Sequence, residues 1–190
     1  ISIGTALSIR TSTLKDFQEA LNTTERIYLY LSSKGSLYHN YKCLNIHQYM
    51  PYDGYTYFLQ QEYHNGETRQ HGRWTATLRN GTEQDGNAAM ILSFLYGYEE
   101  RTYTLRFWDV DNKCFILSSL DSNGKENCEV YQWYKRINER CDPACNFSPM
   151  LRHCTCRPCE LPFYQYCKDT NPALLYDVLQ CKNKNPIVAQ

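Results

Sequence analysis

A carboxylate and two large rings, Glu129, Tyr131 and Trp133, alternate along one short run of the chain. Alternate residues of an extended strand share a face. If Glu129 points into an enclosed space, both rings point there with it. Such a set could hold an ammonium. The carboxylate supplies the counter-charge, and each aromatic face adds about 0.5–2 kcal/mol of cation–π attraction. The plainer alternative is a Glu129 that faces water or is satisfied by a tyrosine hydroxyl or an arginine. Catalytic chemistry finds less to work with. The histidines, His39, His47, His64, His71 and His153, fall in no H-E-x-x-H pattern. Neither a Gly-x-Ser-x-Gly turn nor a phosphate-cradling glycine loop is present. The expectation is a binding protein that is not an enzyme and uses no cofactor or metal.

Cysteine is the other reactive residue type, with 10 in 190 residues. An even, dense set points to an oxidising compartment and a disulfide framework. Cys156 and Cys159 have the C-x-x-C spacing of a zinc site, but in an oxidising compartment such thiols are expected to be disulfide-bonded. Three N-x-S/T triplets, at Asn22, Asn80 and Asn146, add candidate glycosylation sites. The reading is a secreted, extracellular glycoprotein, with any leader removed ahead of the short polar segment at Ile1. No apolar run approaches the ~20 residues of a membrane-spanning helix. Lysine plus arginine and aspartate plus glutamate both count 20, so there is no basic excess for nucleic acid. With 42% hydrophobic and 21% charged residues, the chain is not disordered by composition.

The elements that would position these residues read as one domain over 1–190. Eight period-two runs, bounded by turn signals, occupy 26–33, 41–49, 54–63, 72–80, 87–96, 101–110, 113–119 and 128–135. Asn65-Gly66 marks a tight hairpin. Sequential strands with short connections predict an antiparallel meander. Eight of them can close into an up-and-down barrel wide enough for one small ligand. Ser12 or Thr13 could cap a short helix through Leu21. Asn171-Pro172 predicts the start of a C-terminal helix over 172–181. Between barrel and helix, the Cys-rich stretch 141–167 reads as a cystine-stapled extension that buries little apolar surface.

This layout resembles the tick salivary lipocalins of the histamine-binding protein family. The shared features are a short first helix, a Tyr-rich first strand, the Asp111-Asn112-Lys113-Cys114 turn, Cys128-Glu129-Val130-Tyr131 and a terminal Cys181. The resemblance implies a mainly β, eight-stranded lipocalin barrel. The family's amine-binding pattern, C-D-aliphatic followed by E-L-W and a further Cys, maps onto Cys114-Phe115-Ile116, Glu129-Val130-Tyr131 and Cys141. The family's Asp is Phe115 here, and its Trp is Tyr131. A family carboxylate before the second strand has no match near Lys34-Gly35-Ser36. The resemblance also implies a Cys43–Cys181 link and a Cys114 link to Cys141 or Cys145.

In a ligand-holding barrel, alternate residues face the lumen. The expected lining is Glu129, Tyr131 and Trp133, with Tyr103, Leu105, Phe107 and Asp109, then Trp74, Ala76 and Leu78, and finally Tyr55, Tyr57 and Leu59. The first functional expectation is a scavenger of a small host mediator that suppresses inflammation and immunity. Its ligand would be an amine such as histamine or serotonin, or an amphipathic lipid such as a leukotriene, fatty acid or sterol. A lipid carboxylate would need a cation at the mouth, with Arg73, Arg101 and Arg106 as candidates. The second expectation is a module that binds a host immune protein, such as a complement component, through the 141–167 extension.

Overall fold

The computed structural model describes residues 10–50, 53–95, 97–137, 147–148, 153–154, 158–168, 171–177 and 180–181. The first element is helix α1, Leu14–Leu21. Of the two expected caps, Thr13 is the one used. Its hydroxyl accepts from the Asp16 N–H, and the Asp16 carboxylate accepts from the Thr13 N–H at 2.7 Å, closing a capping box. Phe17, Ala20 and Leu21 on its apolar face are buried to 1% exposure or less.

Eight strands follow: β1 (Ile27–Ser32), β2 (Lys42–Met50), β3 (Thr56–Asn65), β4 (Thr68–Arg79), β5 (Ala89–Phe94), β6 (Glu100–Asp109), β7 (Cys114–Leu120) and β8 (Glu126–Trp133). Each pairs antiparallel with the next, and β1 pairs with β8 to close the barrel. The runs read from period two thus correspond to the observed strands. The β3–β4 turn is Gly66-Glu67, with Asn65 paired to Thr68; Gly66 sits at φ +61°, which suits a residue without Cβ. The expected fifth run ended at Tyr96, which lies outside the described residues.

The barrel is lined by period two and sealed by α1. Tyr57 and Leu59, Trp74, Ala76 and Leu78, Met90 and Leu92, and Phe115 and Leu117 join α1 in one inner cluster. On β6 the period breaks. Leu105 pairs with Leu117 but Phe107 pairs with Ile116, so Arg106 is an extra residue in a bulge. The bulge reverses which side chains face inward beyond it. Tyr103 and Leu105 point in as expected, but Phe107 packs outside against Tyr166 at 6.4 Å. Trp108 takes the inner position, 6.2 Å from both Phe115 and Trp133. Asp109 caps the following turn, accepting from the N–H groups of Asp111 and Asn112 at 3.0 and 2.9 Å.

A second apolar layer covers the outside of β1, β7 and β8. After the single helical turn α2 (Tyr134–Ile137) and the short β9 (Phe147–Ser148) and β10 (His153–Cys154) pair, helix α3 (Glu160–Cys167) lies on this wall. Phe163 is fully buried there with Tyr28, Ile116 and Val130. Within the described part of the Cys-rich stretch, Pro162 and Phe163 are buried against this wall, an apolar contact the sequence reading did not anticipate, while Leu161 and Tyr164 stay exposed. Cys114 pairs with Cys159 and Cys128 with Cys167, clamping both ends of α3. The expected partners of Cys114, Cys141 and Cys145, lie outside the described residues, and the Cys114–Cys159 bond replaces that pairing.

The start of the expected C-terminal helix is also different. Ala173–Leu174 forms β11, which pairs with the upper end of β1. Leu175 donates to the Tyr30 carbonyl at 2.9 Å and accepts from the Cys43 N–H at 3.1 Å. The segment thus fills a seam where β1 and β2 share few partners, and satisfying those backbone groups outweighs the local helix signal. A helical bond is present further on, where the Cys181 N–H donates to the Asp177 carbonyl at 2.8 Å. Cys181 then pairs with Cys43.

Closing a loop across the 138-residue separation of Cys43 and Cys181 removes about 5 kcal/mol of unfolded-state entropy in the chain-entropy model. Replacing both with alanine should lower the unfolding free energy by ~2–5 kcal/mol in denaturant titrations. Peptide mapping without reductant should recover the 43–181, 114–159 and 128–167 links. A Cys114–Cys141 peptide, or a double variant of unchanged stability, would contradict this arrangement.

Candidate functional site

Among the described residues, two unequal spaces lie within the barrel. Around Leu59, Met90, Leu92, Phe115, Leu117 and Tyr131, side chains leave only about 20 Å³. That is room for about one water. At the end opposite α1, an open chamber of about 300 Å³ remains, at the low end of ligand-pocket sizes. Trp74, Gln61 and Tyr38 border both spaces. The chamber wall continues through Tyr41 and Tyr63, whose rings lie 4.3 Å apart, and through Phe94, 5.0 Å from Trp74.

The loop between β1 and β2 shapes this end. A chain of turns, from Ser36 N–H to Ser33 carbonyl and from Tyr41 N–H to Tyr38 carbonyl, folds the loop into the mouth. It buries Ser36 and Tyr38 to 4% exposure each. Ser36 donates to Glu129 Oε1 at 2.6 Å, and the Tyr131 hydroxyl donates to Glu129 Oε2 at 2.8 Å. Glu129 is thus inside the barrel, 2% exposed, with both oxygens engaged. It lines neither the chamber nor the small space below. Desolvation pushes its pKa up, while the Ser36 and Tyr131 hydrogen bonds and the Arg101 charge partly oppose that shift. Tyr131 stacks on Phe115 at 5.3 Å and 12°, so the two positions that depart from the amine pattern together form a flat apolar floor.

Arg101 is the cation of the chamber wall. Its Nη1 donates to the Tyr38 hydroxyl at 2.8 Å, and its Nη2 pairs with Glu99. The guanidinium lies 5.5 Å from the ring centres of both Tyr38 and Trp74. Burial works against its charge, but neighbouring Tyr38 and Glu99 hold its pKa above the ordinary value. The other two candidate cations face outward. Arg73 lies over the Tyr49 ring, and Arg106 pairs with Asp85 and Glu126.

Of the expected lining, Glu129, Tyr131, Tyr103, Leu105, Trp74, Ala76, Leu78, Tyr57 and Leu59 lie inside. Trp133 is half-buried at the α1 end, where its indole N–H donates to the Ala20 carbonyl at 3.0 Å. Phe107 and Asp109 are outside because of the β6 bulge. Tyr55 precedes β3 and is 55% exposed, beyond the start of strand pairing. Asn22 and Asn80 are exposed, and Asn146 lies outside the described residues. The reading of alternate residues missed Trp108, hidden by the bulge, and Ser36 and Tyr38, which sit on a loop with no periodicity. Gln61 and Tyr63 continue the Tyr57–Leu59 alternation and were within its reach. Among the described residues no cluster of histidine, cysteine, aspartate and glutamate could hold a metal ion. Cys159 of the C-x-x-C pair is in a disulfide, and Cys156 lies outside the described residues.

A closed eight-stranded meander, sealed at one end by a helix and open at the other, is a lipocalin-like barrel. The tick histamine binding protein family matches residues 10–183, and the chain belongs to that family. No curated protein sequence matches. Among solved structures, cholesterol-bound Japanin from Rhipicephalus appendiculatus is similar in fold. Its TM-score is 0.54 at 17% identity, over 83% of this chain and 95% of that one. Lobster apocrustacyanin A1 aligns with a TM-score of 0.48 at 10% identity, over 87% of this chain and 88% of that one.

The Glu129 shift has a sign that can be tested. A carboxyl whose folded pKa is raised favours folding below its unfolded value, and that contribution is lost as pH rises through the folded pKa. Glu129→Gln keeps the shape without the charge. The melting temperatures of variant and parent should be nearly equal at about pH 4, and the variant should gain on the parent as pH rises above the ordinary carboxylate range. A parent that gains on the variant with rising pH would contradict the cost of burying this carboxylate.

Proposed function

We propose that this chain is a secreted, extracellular lipocalin that sequesters one small amphipathic host mediator in its open-end chamber. It acts by stoichiometry rather than catalysis, and removing the mediator suppresses host inflammation and immunity. One observation carries the reading. Above a filled interior with space for about one water, the barrel keeps a chamber of about 300 Å³ lined by both aromatic rings and charged groups. Small-molecule sites pair aromatic and apolar surface with placed polar groups, and this chamber offers both. Family membership and the fold likeness to a cholesterol-bound lipocalin support a bound small ligand. The disulfides agree with an oxidising compartment. Among the described residues no helix is long and apolar enough to cross a membrane.

Gly72 gives a direct test of where the ligand sits. It lines the chamber, and a Cβ built on it would lie 3.4 Å from both the Phe94 ring and Trp74 Nε1. Calorimetry and native mass spectrometry with histamine, serotonin, arachidonate, a leukotriene and cholesterol should find at least one ligand bound at one equivalent. Gly72→Leu should weaken that binding by about tenfold or more, on the order of 1.4 kcal/mol, without lowering the melting temperature. No binding by any member, or full binding by a folded Gly72→Leu protein, would remove the chamber from the proposal.

A further inference from the structure

Trp74 presents an unused donor. Its Nε1 is buried and has no hydrogen-bond partner, and the residue as a whole is 6% exposed. An indole nitrogen can only donate. A buried donor without a partner is disfavoured, and buried tryptophans usually find one. Trp74 lines the chamber, and its Nε1 lies 3.4 Å from the position a Gly72 Cβ would take, so no side chain at residue 72 stands against it. The Arg101 guanidinium lies 5.5 Å from the same indole ring. With five N–H donors it can serve a third acceptor beyond Tyr38 and Glu99. Its partner Glu99 is 52% exposed, so solvent screens the hold of that carboxylate on Arg101.

The carboxylates near the site are spent or already balanced. Both oxygens of Glu129 are taken by Ser36 and Tyr131, and Glu129 does not reach the chamber. Glu99 is paired with Arg101. An ammonium entering here would meet the guanidinium and the indole N–H, and Glu99 could serve it only by leaving Arg101. An oxyanion meets two donors. The rings of Phe94, Tyr41 and Tyr63 then offer flat apolar walls to the rest of the molecule.

We infer that the chamber selects a small organic acid with a flat apolar body, its carboxylate bound between the Trp74 indole N–H and the Arg101 guanidinium, in preference to an amine. This rests on the chamber being the ligand site. The chemistry is inverted relative to an ammonium held by Glu129, since the recognising groups donate rather than accept.

Indole-3-acetate and tryptamine make a suitable probe pair, with the same ring and opposite terminal charge. The chain has 3 tryptophans, so a ¹⁵N-labelled sample should show three indole N–H signals. The Trp74 signal is the one that disappears in Trp74→Phe. On titration, indole-3-acetate should move that signal downfield and bind at least tenfold more tightly than tryptamine. Trp74→Phe keeps a ring and removes the donor; it and Arg101→Gln should each weaken indole-3-acetate by about fivefold or more and leave tryptamine unchanged. Melting curves identify any variant that has lost its fold, and Trp74→Phe decides if Arg101→Gln does. A preference for tryptamine, or acetate binding that leaves the Trp74 signal in place, overturns the inference and keeps the chamber as the ligand site. Failure of both probes to bind at millimolar concentration, together with an unresponsive ligand panel, overturns both. Failure of both probes while a panel member binds in a Gly72→Leu-sensitive way overturns this inference alone.

Discussion

An eight-stranded barrel encloses only enough room for its own side chains or for one small guest. How that interior is shared decides what this molecule can bind. Phe115 stacked on Tyr131, with Leu59, Leu105 and Leu117 around them, takes up nearly all of the lower part. Close packing of this kind contributes roughly 1.5–3 kcal/mol per large apolar side chain, so the fold gains stability from the same filling that excludes a deep ligand. The open end escapes because Gly72 contributes no side chain and because the β1–β2 loop brings in polar groups, Ser36 and Tyr38. Their hydrogen bonds, to Glu129 and Arg101, hold the loop in the mouth.

The buried carboxylate belongs to this division. Without the Ser36 and Tyr131 hydroxyls, an ionised Glu129 in an apolar interior would be strongly disfavoured. With them, it ties the loop to β8 from inside, in a position beneath the chamber. The outside of β8 is tied as firmly. Cys128 and Val130 alternate with Glu129 and Tyr131, and they meet α3 under Phe163. β1, β7 and β8 are therefore buried on both faces, unlike the strands on the other side of the barrel. The C-terminal segment completes the wall by filling the β1–β2 seam, where Leu175 reaches the inner cluster and Tyr176 packs edge-on to Tyr28 at 5.0 Å.

Much of this is legible in the residues. The strand set, the Thr13 cap and the inward faces of β3, β4 and β8 follow from period two and from turn chemistry, which act locally. Three features escape for a shared reason. The β6 bulge adds one residue without altering composition, so Phe107 and Asp109 read as inward when Trp108 is. Asn171-Pro172 and the leucines after it carry a helix signal that is overridden by unpaired backbone on β1 and β2, a condition visible only in three dimensions. Cys114 pairs with Cys159 because α3 lies along β8, next to β7, which brings the start of the helix to Cys114. The site shows the same split. Tyr131, Tyr103 and Trp74 come from alternation, whereas Ser36 and Tyr38 come from a loop fold. The use of Arg101 rather than Arg73 or Arg106 depends on which way each strand residue faces.

The proposed ligand occupies the open end, above the Phe115–Tyr131 stack. A crystal of the protein soaked with a bromine-labelled aromatic carboxylate locates the guest by its anomalous scattering. One bromine peak should lie among Tyr63, Trp74 and Phe94, with carboxylate density facing Arg101. A peak beside Phe115 in the depth of the barrel, or only on the outer surface, would contradict this placement.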